Sequence, residues 1–331
     1  MSEEVLDAAC ELAFAHGSSA GFCFFGGEPL LKKDLIYRAL DICLEKSHVT
    51  GIPFKCKMTT NGTLLDEEFL ARAKEVRMGI GLSFDGKAQD ICRRFANKER
   101  SPSSEVLVKK AKLLLQYIPD AMAMATIAPQ AVPYYFESVK YIHDLGFRKA
   151  SFVIAYGEKV HWTDEDLDLL SEQIDKTGEY VRGLFEKGED FYFSPLDAKI
   201  AQCIKDINPA DRCHLGTRQM PVTPDGKLYP CTSFIGDEEY LLGDVFTGLD
   251  MEAQKRIAMK ARTPETCLQC DLLKRCTNSC GCANRMNTGD ENKVSPLQCA
   301  YERMIIEQAD KIGEAMYTFD QDRFVKKYSK I

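Results

Sequence analysis

The sequence predicts an α/β protein built on a parallel sheet, followed by a small cysteine-rich region. Through the first half of its 331 residues, short apolar runs alternate with segments of helical periodicity, separated by short polar turns. This alternation is typical of parallel strands joined by right-handed helical crossovers. After residue 200 the sequence becomes rich in turns, and nine of the 14 cysteines lie there. We therefore predict two units, residues 1–190 and 191–331.

The predicted strands are short apolar runs that end in turn-forming residues, namely Gly21–Phe25, Phe54–Met58, Met78–Phe84, Met122–Thr126 and Ala150–Tyr156. The helices between them carry recognisable end signals. Asp66 and Thr163 are predicted N-caps, and Gly146 is a predicted left-handed C-cap. Pro224-Asp225-Gly226 predicts a hairpin turn, and apolar residues after Cys299 predict a closing helix.

The order of elements favours a barrel over a dinucleotide-binding sheet. No Gly-x-Gly-x-x-Gly follows any predicted strand, so a Rossmann fold has no support. In barrel-type sheets the carboxyl ends of the strands build the active site. The chain opens on a helix, whereas a (β/α) barrel opens on a strand. The order of elements therefore favours a barrel-type parallel sheet with an unusual start.

Composition excludes several classes of partner. The net charge of −7 argues against general affinity for nucleic acid or anionic membranes. No apolar run is long enough to span a bilayer, and the acidic N-terminus is not a secretory signal. Many cysteines without such a signal indicate a reducing compartment, the cytoplasm, and metal ligation in place of disulfides.

The late cysteines have the spacing of a metal-binding region. Five of them follow the order C-x2-C-x5-C-x3-C-x-C from Cys267 to Cys282, and Cys299 closes the set. Cys213 and Cys231 precede them, with Gly226 between the two. Thiolates bind zinc or iron–sulfur clusters. Zinc ribbons usually contain two C-x2-C knuckles, and this stretch has one, so the spacing favours iron–sulfur.

Three elements at strand ends resemble the radical S-adenosylmethionine (SAM) enzymes over residues 1–160. They are Gly26-Gly27-Glu28-Pro29, Thr60-Asn61-Gly62, and Ser83-Phe84-Asp85-Gly86 with Asp90 and Arg93. Glycines allow a ligand to approach the backbone, and a glutamate offers a carboxylate to the SAM ammonium. The resemblance implies a partial (β/α)6 barrel of the TIM type that lacks its first strand. It also implies that SAM is bound by Gly26, Gly27, Glu28, Pro29, Thr60, Asn61, Ser83, Asp85 and Arg93.

Residues 203–317 resemble the SPASM domain, an extension that binds two auxiliary 4Fe–4S clusters. The resemblance assigns Cys213, Cys231 and Cys280 to the cluster nearer the active site. It assigns the outer cluster to Cys267, Cys270, Cys276 and Cys299. Either Cys203 or Cys282 completes the nearer cluster, or one iron stays open for a substrate group.

One motif of the family is missing from this sequence. The SAM-binding cluster needs C-x3-C-x2-C after the first barrel strand, and no such triplet occurs. We expect the chain as given to lack an N-terminal segment and to be inactive in SAM cleavage, with a third cluster present only in a longer protein.

The resemblance implies a maturase that modifies a peptide or protein and receives electrons from a flavodoxin- or ferredoxin-type reductant. Sulfatase maturases carry an Asp directly after the cysteine of the Tyr-Pro-Cys element, and Thr232 stands there in this chain. A hydroxyl is a poor base. This favours a thioether-forming or other cysteine-targeting maturase of ribosomal peptides, with a sulfatase-maturase-like enzyme as the alternative. A non-catalytic, metal-stabilised peptide-binding module or an inactive fragment is the alternative from another class.

The metal content tests this assignment. We expect anaerobically reconstituted protein to hold about eight iron atoms, as two 4Fe–4S clusters, since the late cysteines supply ligands for two. Iron, acid-labile sulfide and zinc would be quantified together. Stoichiometric zinc without sulfide would contradict the expectation.

Overall fold

A computed structural model describes residues 1–15, 17–157, 159–205, 215–217, 219–260, 262–277 and 280–329. Six parallel strands form one sheet in the order β1 to β6, so each crossover connects neighbouring strands. Their bounds are β1 Ala20–Phe24, β2 Phe54–Thr60, β3 Gly79–Ser83, β4 Met122–Ile127, β5 Lys149–Ile154 and β6 Tyr192–Phe193. All six carboxyl ends therefore lie along the same edge of the sheet.

Helices follow the strands and continue into the C-terminal half. Their bounds are α1 Glu3–Ala15, α2 Lys33–Thr50, α3 Glu67–Glu75, α4 Gln89–Cys92, α5 Ser104–Tyr117, α6 Tyr135–Asp144, α7 Asp164–Lys187, α8 Ser194–Ile204, α9 Met251–Lys260, α10 Gly281–Thr288, α11 Pro296–Phe319 and α12 Gln321–Tyr328. The strands bury alternate residues, as β4 does with Ala123, Ala125 and Ile127. One face of the sheet is thus covered, while the other face remains more open.

The parallel sheet confirms the predicted fold class. The five predicted strands lie within two residues of their expected bounds, and Asp66 and Thr163 are N-caps whose side chains accept from backbone N–H groups. The two-residue strand β6 was not predicted, because so short a run has no periodicity. Among the described residues β1 pairs with β2 and has no other strand beside it. The absence of a preceding strand stays a prediction.

Helix α1 packs on two different parts of the molecule. Leu6, Cys10 and Phe14 are buried against β1 and α2. The adjacent face buries Val5 in a second cluster, which contains residues of the cysteine-rich region such as Ile257. The first helix therefore joins the sheet to the C-terminal region.

The C-terminal region combines a small sheet with long helices. Its three antiparallel strands are β7 Lys227–Leu228, β8 Gly243–Asp244 and β9 Gly248–Leu249. The predicted turn at Pro224-Asp225-Gly226 precedes β7, with Gly226 at φ +92° and its N–H donating to the Thr223 carbonyl at 2.9 Å. Helix α11 begins before Cys299, because Ser295 caps it. No described helix is both long and apolar enough to cross a bilayer.

The main core crosses the predicted boundary at residue 190. Ile200 of α8 and Ile305, Ala309 and Ile312 of α11 are buried in the same cluster as the strands of the large sheet. The division into residues 1–190 and 191–331 stays a prediction, one that concerns the cysteine chemistry and not the packing.

The turn after β3 allows a matched test of backbone strain. Gly86 has φ +61°, and an added Cβ would lie 2.8 Å from the Cα of Ser138 on α6. Gly51 also has a positive φ (+72°), but an added Cβ there would meet no atom within 4 Å. We expect Gly51→Ala to cost about 1 kcal/mol from its left-handed backbone. Gly86→Ala should cost about 1–3 kcal/mol more, because it also overpacks the turn. Equal losses in thermal unfolding would contradict this difference.

Candidate functional site

Glu28 connects two of the predicted SAM-binding elements. It follows β1, and its carboxylate accepts hydrogen bonds from the Thr60 hydroxyl and the Asn61 N–H, both at 2.7 Å. The same side chain caps the short helical turn Pro29–Lys32 by accepting from Leu30 N at 3.1 Å. The structure thus brings together the ends of β1 and β2 around one carboxylate.

The glycines before Glu28 leave room for a ligand. An added Cβ at Gly26 or Gly27 would meet no atom within 4 Å, and Gly26 has φ +146°. Because no side chain covers this backbone, a ligand can approach its N–H and C=O groups directly. The open backbone beside a carboxylate fits the ammonium end of an amino acid.

In the predicted SAM-binding element that follows β3, Asp85 is buried and Arg93 is exposed. The carboxylate of Asp85 is 0% exposed and accepts from Arg93 Nε at 2.6 Å and from Thr126 N at 3.1 Å. Burial raises the pKa of Asp85, while the charge of Arg93 opposes that shift. The Arg93 side chain is 36% exposed to solvent. A ligand can therefore reach the guanidinium, which Asp85 holds in place, while Ser83 ends β3 nearby.

Asp90, the other acid of this element, has a local structural role. It accepts hydrogen bonds from Ser103 N at 2.7 Å and from Ser104 N at 2.9 Å. These bonds tie the short helix α4 to the start of α5. Its carboxylate is therefore occupied by backbone N–H groups.

Three late cysteines form one group close to the large sheet. The Sγ atoms of Cys280 and Cys282 lie 3.3 Å apart. The thiol of Cys282 also hydrogen-bonds that of Cys231, and this contact, with burial, raises the pKa of Cys231. Burial raises the pKa of Tyr156, two residues past β5, and Glu302, Cys280, Cys282 and Cys276 raise it further. Gly157 N donates to Asn287 Oδ1 at 3.4 Å, on the helix α10 that contains Cys282. This contact brings the group to the carboxyl end of β5.

Cys267, Cys270 and Cys299 form a second group. Burial raises the pKa of Cys267, and the neighbouring thiols Cys270 and Cys299 raise it further. Arg303 Nη2 lies 4.0 Å from Cys270 Sγ, and the same guanidinium hydrogen-bonds Cys299. These three thiols match the predicted outer set, to which Cys276 was also assigned.

The remaining predicted ligands occupy different positions. Cys203 is exposed in the last turn of α8. Cys213 lies outside the described residues. Cys282, the alternative fourth ligand of the nearer set, is in contact with two members of that set.

Within the described ranges, no three cysteine, histidine, aspartate or glutamate side chains converge on a point that could hold a single metal ion. The choice between zinc and an iron–sulfur cluster therefore rests on the spacing of the cysteines in the sequence.

Sequence reasoning missed several residues beside the cysteines. Glu302 and Arg303 follow Cys299 on α11 by three and four positions, and Lys199 precedes Cys203 on α8 by four. Residues at these spacings share a helix face. That signal could have identified them as neighbours of the cysteine groups.

Two curated proteins illustrate the similarity in sequence. An uncharacterized protein of Methanocaldococcus jannaschii is 29% identical over 175 residues, which cover 51% of this chain and 60% of that protein. The match thus spans less than two thirds of that relative's length. The cysteine-type anaerobic sulfatase-maturating enzyme of Clostridium perfringens is 23% identical over 313 residues, covering 85% of this chain and 79% of that enzyme.

Two solved structures share the fold. The structure of anSMEcpe with bound AdoMet and the Kp18Cys peptide superposes with a TM-score of 0.76 at 17% identity, covering 100% of this chain and 91% of the other. Streptococcus suis SuiB bound to the precursor peptide SuiA gives a TM-score of 0.59 at 17% identity, covering 90% and 69%. At these identities the likeness concerns the fold.

The family model of the Radical SAM superfamily matches residues 1–170, which is more than half of the chain. The matched segment contains the Glu28, Asn61 and Asp85 elements. This chain belongs to the radical SAM superfamily.

Proposed function

We propose that this protein is a maturase that modifies a peptide or protein, with a SAM site at the strand ends and two auxiliary 4Fe–4S clusters in residues 191–331. Family membership implies SAM and a 4Fe–4S cluster as cofactors. One observation carries the rest of the proposal. Helix α10, which begins next to Cys280 and contains Cys282, contacts the end of β5, where Gly157 N donates to Asn287 Oδ1 at 3.4 Å. Glu28 and Arg93 follow β1 and β3 at the same edge of the sheet.

The SAM site would use the two ends of the cofactor's amino-acid moiety. Glu28, fixed by Thr60 and Asn61, would accept from the ammonium group above the open backbone of Gly26 and Gly27. Arg93, held by Asp85, would pair with the carboxylate or the ribose hydroxyls. With one electron from a reduced SAM-binding 4Fe–4S cluster, for which these 331 residues contain no C-x3-C-x2-C motif, bound SAM would supply a 5′-deoxyadenosyl radical and release methionine. The radical would take a hydrogen atom from the substrate and become 5′-deoxyadenosine. The protein residues orient the cofactor and exclude water.

The cysteine assignment follows the family resemblance, and the two thiol groups support part of it. Cys231 and Cys280, together with Cys213 and either Cys203 or Cys282, would hold the nearer cluster. Cys267, Cys270, Cys276 and Cys299 would hold the outer one. Such clusters accept electrons, and a flavodoxin- or ferredoxin-type reductant in a reducing cytoplasm would supply them to the enzyme.

The acids near Cys231 support a cysteine-targeting reaction. Thr232 is exposed at the position after the cysteine. The nearby acids are all paired: Asp237 with Arg285 at 2.5 Å, Glu238 with Lys227 at 3.1 Å, and Glu239 with Lys260. Burial opposes the shift, but the hydrogen bond and charge of Arg285 lower the pKa of Asp237, so this carboxylate is a weak base. A substrate thiol needs less help to lose a proton than a hydroxyl does, since its pKa is lower. We therefore favour thioether formation or another modification of cysteine in a ribosomal peptide.

A sulfatase-maturase-like activity is the second candidate. The similarity to the Clostridium perfringens enzyme over most of both chains supports it. The absence of an Asp at position 232 argues against it. A non-catalytic peptide-binding module is the candidate from another class, and it requires neither SAM nor electron transfer.

Cysteine variants test the two-cluster assignment. In anaerobically reconstituted protein, Cys231→Ala and Cys267→Ala should each lose about four iron atoms, because each removes a ligand from a different cluster. Cys92→Ala is the control, since Cys92 lies outside both groups and should leave the iron content unchanged. Cys282→Ala separates the candidates for the fourth ligand of the nearer cluster. Losing all iron in both single variants would contradict two separate clusters.

Peptide selectivity tests the target. Thiolates are preferred ligands of iron. We therefore expect cluster-loaded protein to bind a cysteine peptide about tenfold more tightly than the same peptide with serine, a difference of about 1.4 kcal/mol. Protein stripped of iron by a chelator should not distinguish the two. Fluorescence anisotropy with labelled peptides measures both affinities. Equal binding by the loaded protein would argue against a cysteine-targeting enzyme.

A further inference from the structure

Lys199 and Glu302 form a buried ion pair between α8 and α11. Lys199 Nζ lies 2.7 Å from Glu302 Oε2, and the two side chains are 6% and 8% exposed. A buried pair of charges gains little net stability over an apolar pair of the same size, because desolvation offsets the attraction. A gain in overall stability is therefore a weak reason for having this pair.

The pair holds the backbone on both sides of Cys276. Lys199 Nζ donates to the carbonyl of Arg275 at 2.6 Å. On the other side, Glu302 accepts from the N–H of Thr277 at 2.9 Å and from its hydroxyl at 2.8 Å. Cys276 is thus fixed by bonds to its two neighbours in sequence.

Further contacts connect this point to α11. Gln298 Nε2 donates to the carbonyl of Thr277 at 3.1 Å, and Arg275 pairs with Asp310 at 2.6 Å. Glu302 lies one helical turn after Cys299 on α11. The ion pair therefore fixes Cys276 relative to a helix that carries another cysteine of the outer set.

We infer that Lys199 and Glu302 are positioning residues that hold the Cys276 thiol in place for the outer cluster. Satisfied buried polar networks impose a specific geometry, whereas apolar contacts allow more freedom. The residues around a cluster tune its potential through hydrogen bonds and burial. The inference rests on the proposed function for the identity of the bound group, but the position of Cys276 can be tested without it.

The experiment compares single and double variants of the full chain. Lys199→Met and Glu302→Gln each leave a buried charge without its counter-charge and should lower the thermal midpoint of unfolding. The double variant Lys199→Met with Glu302→Leu replaces both charges by apolar groups of similar size. It should therefore recover most of the thermal stability that the single variants lose. The double variant still lacks the bonds to Arg275 and Thr277. Iodoacetamide should therefore label its Cys276 about tenfold faster in chelator-treated protein, as local opening becomes easier.

The control variant removes another ion pair that involves α8. Asp197 of α8 lies 2.9 Å from Lys327 of α12, and among the described residues neither side chain hydrogen-bonds a cysteine-bearing segment. Lys327→Met with Asp197→Asn should leave the labelling rate of Cys276 unchanged. Labelling is read peptide by peptide by mass spectrometry, so Cys270 and Cys299 serve as internal references.

Reconstituted protein gives the second readout. In the Lys199→Met, Glu302→Leu variant the outer cluster should show a shifted midpoint potential and electron paramagnetic resonance signal, with the nearer cluster unchanged. A folded double variant with wild-type labelling and potential would overturn the inference. Failure of all variants and of wild type to bind iron would refute the proposed clusters, while the labelling result would still decide the role of the pair.

Discussion

The packing of α11 against α7 and α8 brings the cysteine-rich region onto the large sheet. Gly178 of α7 makes this approach possible, since an added Cβ there would lie 2.0 Å from Gln308 Nε2 of α11. Gly313 similarly faces Ile200 of α8, where an added Cβ would lie 3.3 Å away. Gln308 also donates to the carbonyl of Asp175 at 3.3 Å. Because α11 carries Cys299, Glu302 and Arg303, the way this helix packs on α7 and α8 determines where the cysteine groups lie.

The strand ends were predictable because they depend on local sequence and on one rule of parallel sheets. Apolar runs ending in Gly-Gly-Glu-Pro or Thr-Asn-Gly give both the strands and the edge at which their polar residues meet. The role of Glu28 needed the structure. Its hydrogen bond to Thr60 joins residues 32 positions apart, and no sequence pattern specifies such a pairing.

The cysteine groups were partly predictable for a different reason. Spacing and family resemblance suggested which cysteines act together, and the structure places Cys267, Cys270 and Cys299 near one another. The burial and pairing of Lys199 and Glu302 were not predictable, although their spacing from Cys203 and Cys299 was visible, because charged residues on amphipathic helices usually face solvent. Their pairing across 103 positions is decided by how α8 and α11 pack. Likewise, sequence marked Asp85 as a ligand contact, but only the structure showed that it is fully buried and holds Arg93.

Helix α1 can complete its packing only late in folding. Its Leu6 face can pack on α2 and β1 as soon as those elements are made, but its Val5 face packs on residues as distant as Ile257. During synthesis this second apolar face must wait until most of the chain has emerged. Contacts so distant in sequence form slowly, because a long loop must close first. Until the β7–β9 sheet is complete, the nascent chain therefore carries an uncovered apolar face on α1, and exposed apolar surface of this kind favours aggregation.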